Sequence, residues 1–183
     1  TTHGGYATHV VDLSPRPETL RARLSGKWRS ALNKAEQLLA AGELATDWTA
    51  SPVQIRDLLR WHQLDREEKG YQGTHPVLLK RLLMDYAKAQ CLLLGVASAQ
   101  GAACSAVALL RHGSGATYQL AWNGKAARSA GANNLLLWQA MLELQQRGVR
   151  SLDLGGFNEE APGLQHFKAG LGGREVRLAG MFA

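Results

Sequence analysis

The chain has 183 residues, with 21 Lys and Arg against 15 Asp and Glu, a formal charge of +6 and a pI near 9.6. That length suits a single domain (residues 1–183) with a core of its own, and 45% apolar against 20% charged residues excludes a disordered tail or a highly charged coiled coil. Cys91 and Cys104 sit in apolar stretches and read as buried thiols of a reducing, cytoplasmic setting rather than a disulfide framework. No apolar run approaches the roughly 20 residues that span a membrane. The chain opens on Thr1-Thr2-His3-Gly4-Gly5, so the lack of a signal peptide carries little weight.

Thr8 to Leu13 reads as a short strand, stopped by Ser14-Pro15-Arg16-Pro17. Glu18 to Ala41 follows as one long helix, because Leu20, Leu24, Trp28, Leu32, Ala35 and Leu39 share an arc of about 120° at helical spacing. Gly42 ends it, and Leu44 to Ala50 has strand character. Ser51-Pro52 then places an N-cap and a first-turn proline ahead of a helix to Lys69. A loop over Gly70–Thr74 leads to a third helix, from His75-Pro76 to Gln90.

The period then changes to that of strands. Cys91–Ala97 and Ala102–Leu110 form a hairpin about Ser98-Ala99-Gln100-Gly101, and Tyr118–Trp122 is a further strand. Gly131–Arg147 is an apolar helix, and Ser151–Leu154 a strand. Pro162–Leu171 is a short helix, and Glu175–Phe182 a last strand. The class is therefore mixed α/β, with the Gly131–Arg147 helix crossing over between parallel neighbouring strands.

This order resembles the GNAT acyltransferase fold, a mixed central sheet flanked by helices. Two segments sharpen the likeness: Tyr118–Asn123 with Arg128-Ser129-Ala130-Gly131-Ala132-Asn133, and Asp153-Leu154-Gly155-Gly156-Phe157-Asn158 followed by Gly163-Leu164-Gln165-His166-Phe167-Lys168. The second is similar to the C-terminal signature of the FemABX family, the aminoacyl-tRNA-dependent peptidyltransferases, although Leu171-Gly172-Gly173 stands where that family has a Phe-Gly-Gly-like turn. Val11–Ser14 and the Lys27-Trp28-Arg29 to Glu36 stretch are similar to the opening of that family's second GNAT-like domain. Family members usually carry two such domains, so the resemblance leaves three expectations open: a single-domain relative, a second domain of a longer protein, or one partner chain of a larger assembly.

It also implies aminoacyl-tRNA as donor, an amine acceptor, and an already activated ester that needs no metal or redox cofactor. Phe167 and Lys168 match the family's pair at the aminoacyl-tRNA end, Lys168 to stabilise the oxyanion and Phe167 to stack on a base. Arg128 and Gly131 match, loosely, the loop that holds the pyrophosphate of coenzyme A in other GNAT enzymes, while Asn133, at its last position, departs from it with a side chain that would crowd a diphosphate; a plain helix start capped by Asn133 or Asn134 fits equally. Acyl-CoA-dependent N-acylation is thus the first rival, and a catalytically silent RNA- or partner-binding module the second.

Asp153 reads as a base or, more commonly, as an acceptor for loop N–H groups. Gly155 and Gly156 permit close approach of a substrate, while Trp122 and Asn123 sit at a strand end where they can line a cleft. Glu159 and Glu160 read as a solvated turn. Arg23, Lys27 and Lys34 fall within about 40° on the wheel of the first helix, a basic flank suited to phosphates, with Arg29 opposite, near Glu18 and Glu36. Arg56, Arg60, Arg66, Lys69, Lys80 and Arg81 are interleaved with acids and define no patch. No histidine spacing suggests zinc, His166 reads as structural, and Trp28, Trp48, Trp61 and Trp138 read as core.

Overall fold

The computed structural model describes residues 7–71, 73–157 and 162–177. Fourteen elements follow in chain order: β1 (Ala7–Asp12), α1 (Pro17–Arg23), α2 (Gly26–Ala40), β2 (Leu44–Asp47), α3 (Pro52–Lys69), α4 (Pro76–Lys88), β3 (Leu92–Ala99), β4 (Ala102–His112), β5 (Gly115–Asn123), α5 (Ala127–Ala130), α6 (Ala132–Gln146), β6 (Ser151–Phe157), α7 (Pro162–Ala169) and β7 (Arg174–Arg177). Seven strands form one sheet in the order β2-β3-β4-β5-β6-β1-β7. The GNAT-like mixed sheet flanked by helices is the observed architecture.

The first helix is not continuous. Leu24 is extended, at φ −61° and ψ 138°, because the Ser25 N–H turns away to donate to the Gly170 carbonyl at 2.9 Å. Ser25 then caps a new helix, its hydroxyl accepting from the Trp28 N–H. Leu20, Leu24, Trp28, Leu32 and Ala35 still reach the core, so the apolar stripe survives the break.

The second strand ends at Asp47, earlier than its composition suggests. Asp47 accepts from the Thr49 N–H at 3.0 Å and from the Gln54 amide at 2.7 Å, which pulls the chain out of the sheet. Ser51 and Gln54 complete a reciprocal capping box at the start of α3. The β3–β4 turn narrows to Gln100 and Gly101, both at positive φ, as a two-residue hairpin of the right twist requires.

Both faces of the central strands are covered, which explains their near-continuous apolar sequence. Along β4, Val107 and Leu109 point toward α2 and α6, while Ala106, Ala108 and Leu110 point toward α3 and α4. The strands β5 and β6 are parallel across the α6 crossover, as the topology demands. They pair only at Gly115–Ser151, Ala116–Leu152 and Thr117–Asp153. Beyond that point β5 stays with β4 as far as Asn123, and β6 stays with β1 as far as Phe157. The sheet therefore opens between Tyr118–Asn123 and Leu154–Phe157. The last strand is described only over Arg174–Arg177; its expected continuation to Phe182, like Glu159 and Glu160, lies outside the described residues.

Candidate active site at the opening of the sheet

The mouth of this opening is built on Asp153. Its carboxylate accepts from the Gly155 N–H at 2.8 Å and from the Thr8 hydroxyl on β1. Gly155 takes φ +73°, a region that L side chains rarely adopt, and a Cβ there would lie 3.2 Å from the Tyr118 carbonyl. Glycine thus lets β6 bend at the point where it leaves β5. Asp153 acts here as the acceptor that holds the bend, the commoner of the two roles its sequence suggested.

Lys168 enters from α7 and is only 4% exposed. Its ammonium donates to the carbonyls of Gly155 at 2.9 Å and Gly156 at 2.8 Å. An ammonium has three N–H donors, so one remains for a substrate oxygen. Burial pushes the Lys168 pKa down to about 8, opposed by the nearby Asp153 carboxylate. Lys168 is the single buried side chain among the described Lys, Arg, Asp and Glu residues, and it stands at the opening rather than on a solvated surface. His9, buried on β1, has its pKa lowered by burial and by Lys168, with Glu175 opposing, which keeps the imidazole uncharged beside the ammonium.

Phe167 faces the other way. Its ring lies 5.8 Å from Trp28, tilted by 36°, and packs against the edge of the core. The contact seats α7 on α2, so the stacking role expected of Phe167 falls to a ring that packing already engages. His166 donates from Nδ1 to the Pro162 carbonyl of its own helix, at 2.7 Å.

The Arg128–Asn133 segment differs most from its motif. Residues 127–130 coil into the short α5, and two loop amides expected to face a diphosphate donate within the chain, Ala130 to Ala126 and Gly131 to Arg128, as the preceding Ala127 does to Gly124. Gly131 is buried, at φ +64°, and a Cβ on it would lie 2.3 Å from the Ala31 carbonyl of α2. Its missing side chain makes room for a neighbouring helix. Asn133 accepts from the Tyr118 hydroxyl at 3.4 Å, and the residue before α6 is Gly131, so neither Asn133 nor Asn134 is the cap. Arg128 is exposed on α5.

Trp122 stacks on Trp61 of α3, with ring centroids 4.5 Å apart, which fixes the far wall of the opening. Asn123 accepts from the buried Ser105 hydroxyl at 2.8 Å. Arg23, Lys27 and Lys34 are all exposed, but the break at Leu24 puts Arg23 on a different helix from the two lysines, so no single helical flank joins them. Arg29 reaches the Ala22 carbonyl, and Glu36 pairs with Arg21 instead, at 2.6 Å. Thr8, His9 and Tyr118 were not among the residues expected at the site. Thr8 and Asp153 are 145 residues apart, and no local pattern links them.

A splayed parallel pair with a crossover helix behind it, in a mixed sheet flanked by helices, is the arrangement of a GNAT-type acyltransferase domain. The chain belongs to the acetyltransferase (GNAT) domain family, whose profile matches residues 25–169. Its fold is similar to a crystal structure of FemX, at 12% identity and TM-score 0.81 over 95% of this chain and 60% of that one. It is also similar to L-PGS from Bacillus licheniformis, at 14% identity and TM-score 0.59 over 97% of this chain and 59% of that one. A predicted acetyltransferase with acetyl-CoA from Clostridium acetobutylicum aligns at 11% identity and TM-score 0.53, over 67% of this chain and 86% of that one. The chain spans about 60% of the length of FemX. No curated protein matches it. Among the described residues, no helix is long and apolar enough to cross a membrane.

Proposed function

We propose that the domain transfers an aminoacyl group from aminoacyl-tRNA to an amine acceptor, forming an amide. The observation that carries this reading is the closed loop before α6. In a coenzyme A enzyme of this class, main-chain amides there would cradle a diphosphate; here two of them, those of Ala130 and Gly131, already donate within the chain, and Gly131 is packed against Ala31. Lys168 supplies the complementary half of the argument. The amine nitrogen attacks the ester carbonyl, the C–N bond forms, and negative charge collects on the carbonyl oxygen. The third N–H of Lys168 stabilises that charge where the sheet opens. Collapse then breaks the ester C–O bond, and the ribose oxygen leaves as a hydroxyl, taking up the proton that the attacking nitrogen sheds. The fold shared with FemX supports the same reading.

A second reading, N-acylation from acyl-CoA, is favoured by the family's own description and by the Clostridium acetobutylicum neighbour. Turnover with labelled aminoacyl-tRNA and with labelled acetyl-CoA separates the two. The tRNA reading expects product from the charged tRNA only, reduced about 10²- to 10³-fold in Lys168→Met, the size typical of losing one oxyanion donor. Product from acetyl-CoA alone would overturn it. Circular dichroism of the variant shows whether the loss is catalytic.

A further inference from the structure

His9 stands at the irregular point of the pairing between β1 and β6. Thr8 faces Gly156 and Val10 faces Asp153, so His9 is opposed by two residues of a bulge, Leu154 and Gly155. On its other edge β1 is regular, and His9 is the direct partner of Glu175 on β7. Side chains alternate along a strand, which puts His9 on the same face as Val11. Val11 belongs to the core cluster against which Phe167 of α7 packs, and Lys168 follows Phe167 on that helix. The imidazole, 5% exposed, therefore lies on the face covered by α7, beside the bend whose Gly155 and Gly156 carbonyls seat the Lys168 ammonium.

A second cation is costly in such a place. Burial lowers the His9 pKa from its ordinary 6.5, Glu175 opposes, and Lys168 adds to the lowering. Lys168 titrates at about 8, so in the neutral range the ammonium alone of the two is charged. The carboxylates on the strands flanking β1 are already engaged among the described residues. Asp153 on β6 accepts from the Gly155 N–H and the Thr8 hydroxyl, and Glu175, exposed on β7, pairs with Arg177. Arg174 on β7 and His166 on α7 are exposed, so water screens them from the buried pair.

We infer that His9 is a positioning residue for Lys168: the uncharged imidazole leaves the ammonium seated on the Gly155 and Gly156 carbonyls, and a proton on the imidazole drives the ammonium off them. The consequence for catalysis, loss of the oxyanion donor in acid, rests on the proposed function; the seating itself does not.

Heteronuclear NMR of the lysine side-chain N–H groups, on the full chain, reads the seat without substrate. Exchange of an exposed ammonium with water slows as pH falls, so its signal sharpens in acid. The Lys168 signal, identified by its absence from Lys168→Met, is expected to do the reverse. It fades over the range in which the His9 ring titrates, below pH 6.5. In His9→Gln, whose amide keeps a hydrogen-bonding group but takes no proton, the signal persists to about pH 5. Should circular dichroism show that variant unfolded, coincidence of the Lys168 fading with the His9 ring titration in the native chain decides. A Lys168 signal that sharpens in acid, or that fades equally in folded His9→Gln, would overturn the inference. With labelled aminoacyl-tRNA, the native-to-His9→Gln ratio of kcat/KM is expected to be constant above about pH 7 and to fall about tenfold per pH unit below the His9 titration. A ratio that stays constant throughout marks a structural histidine and overturns the inference too. No turnover from either donor, beside a Lys168 signal that fades with His9, would refute the transfer reading and support the seating.

Discussion

Substituting Lys168 by Met is expected to remove a rise in stability with pH that the native chain shows on the alkaline side. Lys168 titrates at about 8 in the fold, against 10.5 for the free side chain. Below pH 8 both states hold the proton. Between about 8 and 10.5 the unfolded chain holds more protons than the folded one, so the free energy of unfolding increases with pH. With those two values, the gain between about pH 7 and about pH 9.5 is about 2 kcal/mol, reached as the folded ammonium discharges and its burial stops costing. For a chain of this size that is about 4–8 °C in melting temperature. The assay is urea unfolding of native and Lys168→Met protein at both pH values. Taking the difference between the two proteins cancels the remaining groups, among them Tyr71 and Tyr118, whose raised pKa values act in the opposite direction. A difference that does not change with pH would show that the ammonium keeps its ordinary pKa, and the picture of a desolvated cation at the opening would fail.

Two further substitutions test the surroundings. Gly131→Ala places a methyl group where the Ala31 carbonyl sits and an L residue at φ +64°, so a loss of about 2–5 kcal/mol is expected in thermal unfolding; a melting temperature within 2 °C of native, about half a kcal/mol or less, would return this glycine to a ligand-binding role. Trp122→Ala removes the ring stacked on Trp61, and a loss of about 2–3 kcal/mol is expected, half-burial holding it below the full-core value; a double-mutant cycle with Trp61→Ala should show coupling of about 1 kcal/mol, and additive losses would refute the stacking contribution.

What the sequence revealed follows the range of the forces involved. The limits of α3 are legible because Ser51, Pro52, Gln54 and Gly70 act within a turn of the residues they stop. The β3–β4 hairpin is legible for the same reason, in Gln100 and Gly101. The break at Leu24 was not, because its cause is the bond from the Ser25 N–H to the Gly170 carbonyl, 145 residues further along the chain. At the site, Lys168 and Asp153 could be picked out since each belongs to a local segment of recognisable form. Thr8 and His9 could not, since only the pairing of β1 with β6 and β7 brings them in.

The glycines of the two recognisable segments separate packing from chemistry. Gly131 meets the Ala31 carbonyl, Gly170 meets Trp28 and the Ser25 hydroxyl, and Gly172 meets the Arg23 carbonyl, all at distances that a side chain could not share. Gly170 and Gly172 grip the α1–α2 junction from the end of α7, where the helix is interrupted, and Gly131 closes on α2 further along, from the start of α6. A motif glycine suggests a ligand because both a ligand and a helix ask for a missing side chain. Here α1 and α2 account for three of them, which leaves Gly155 and Gly156 at the opening, with their carbonyls turned to Lys168. The position of that ammonium is therefore set jointly: the Phe167–Trp28 contact and Gly170 seat α7, and Asp153 holds the bend that presents the two carbonyls. Displacing either support should move the ammonium, and with it the N–H that faces the substrate oxygen.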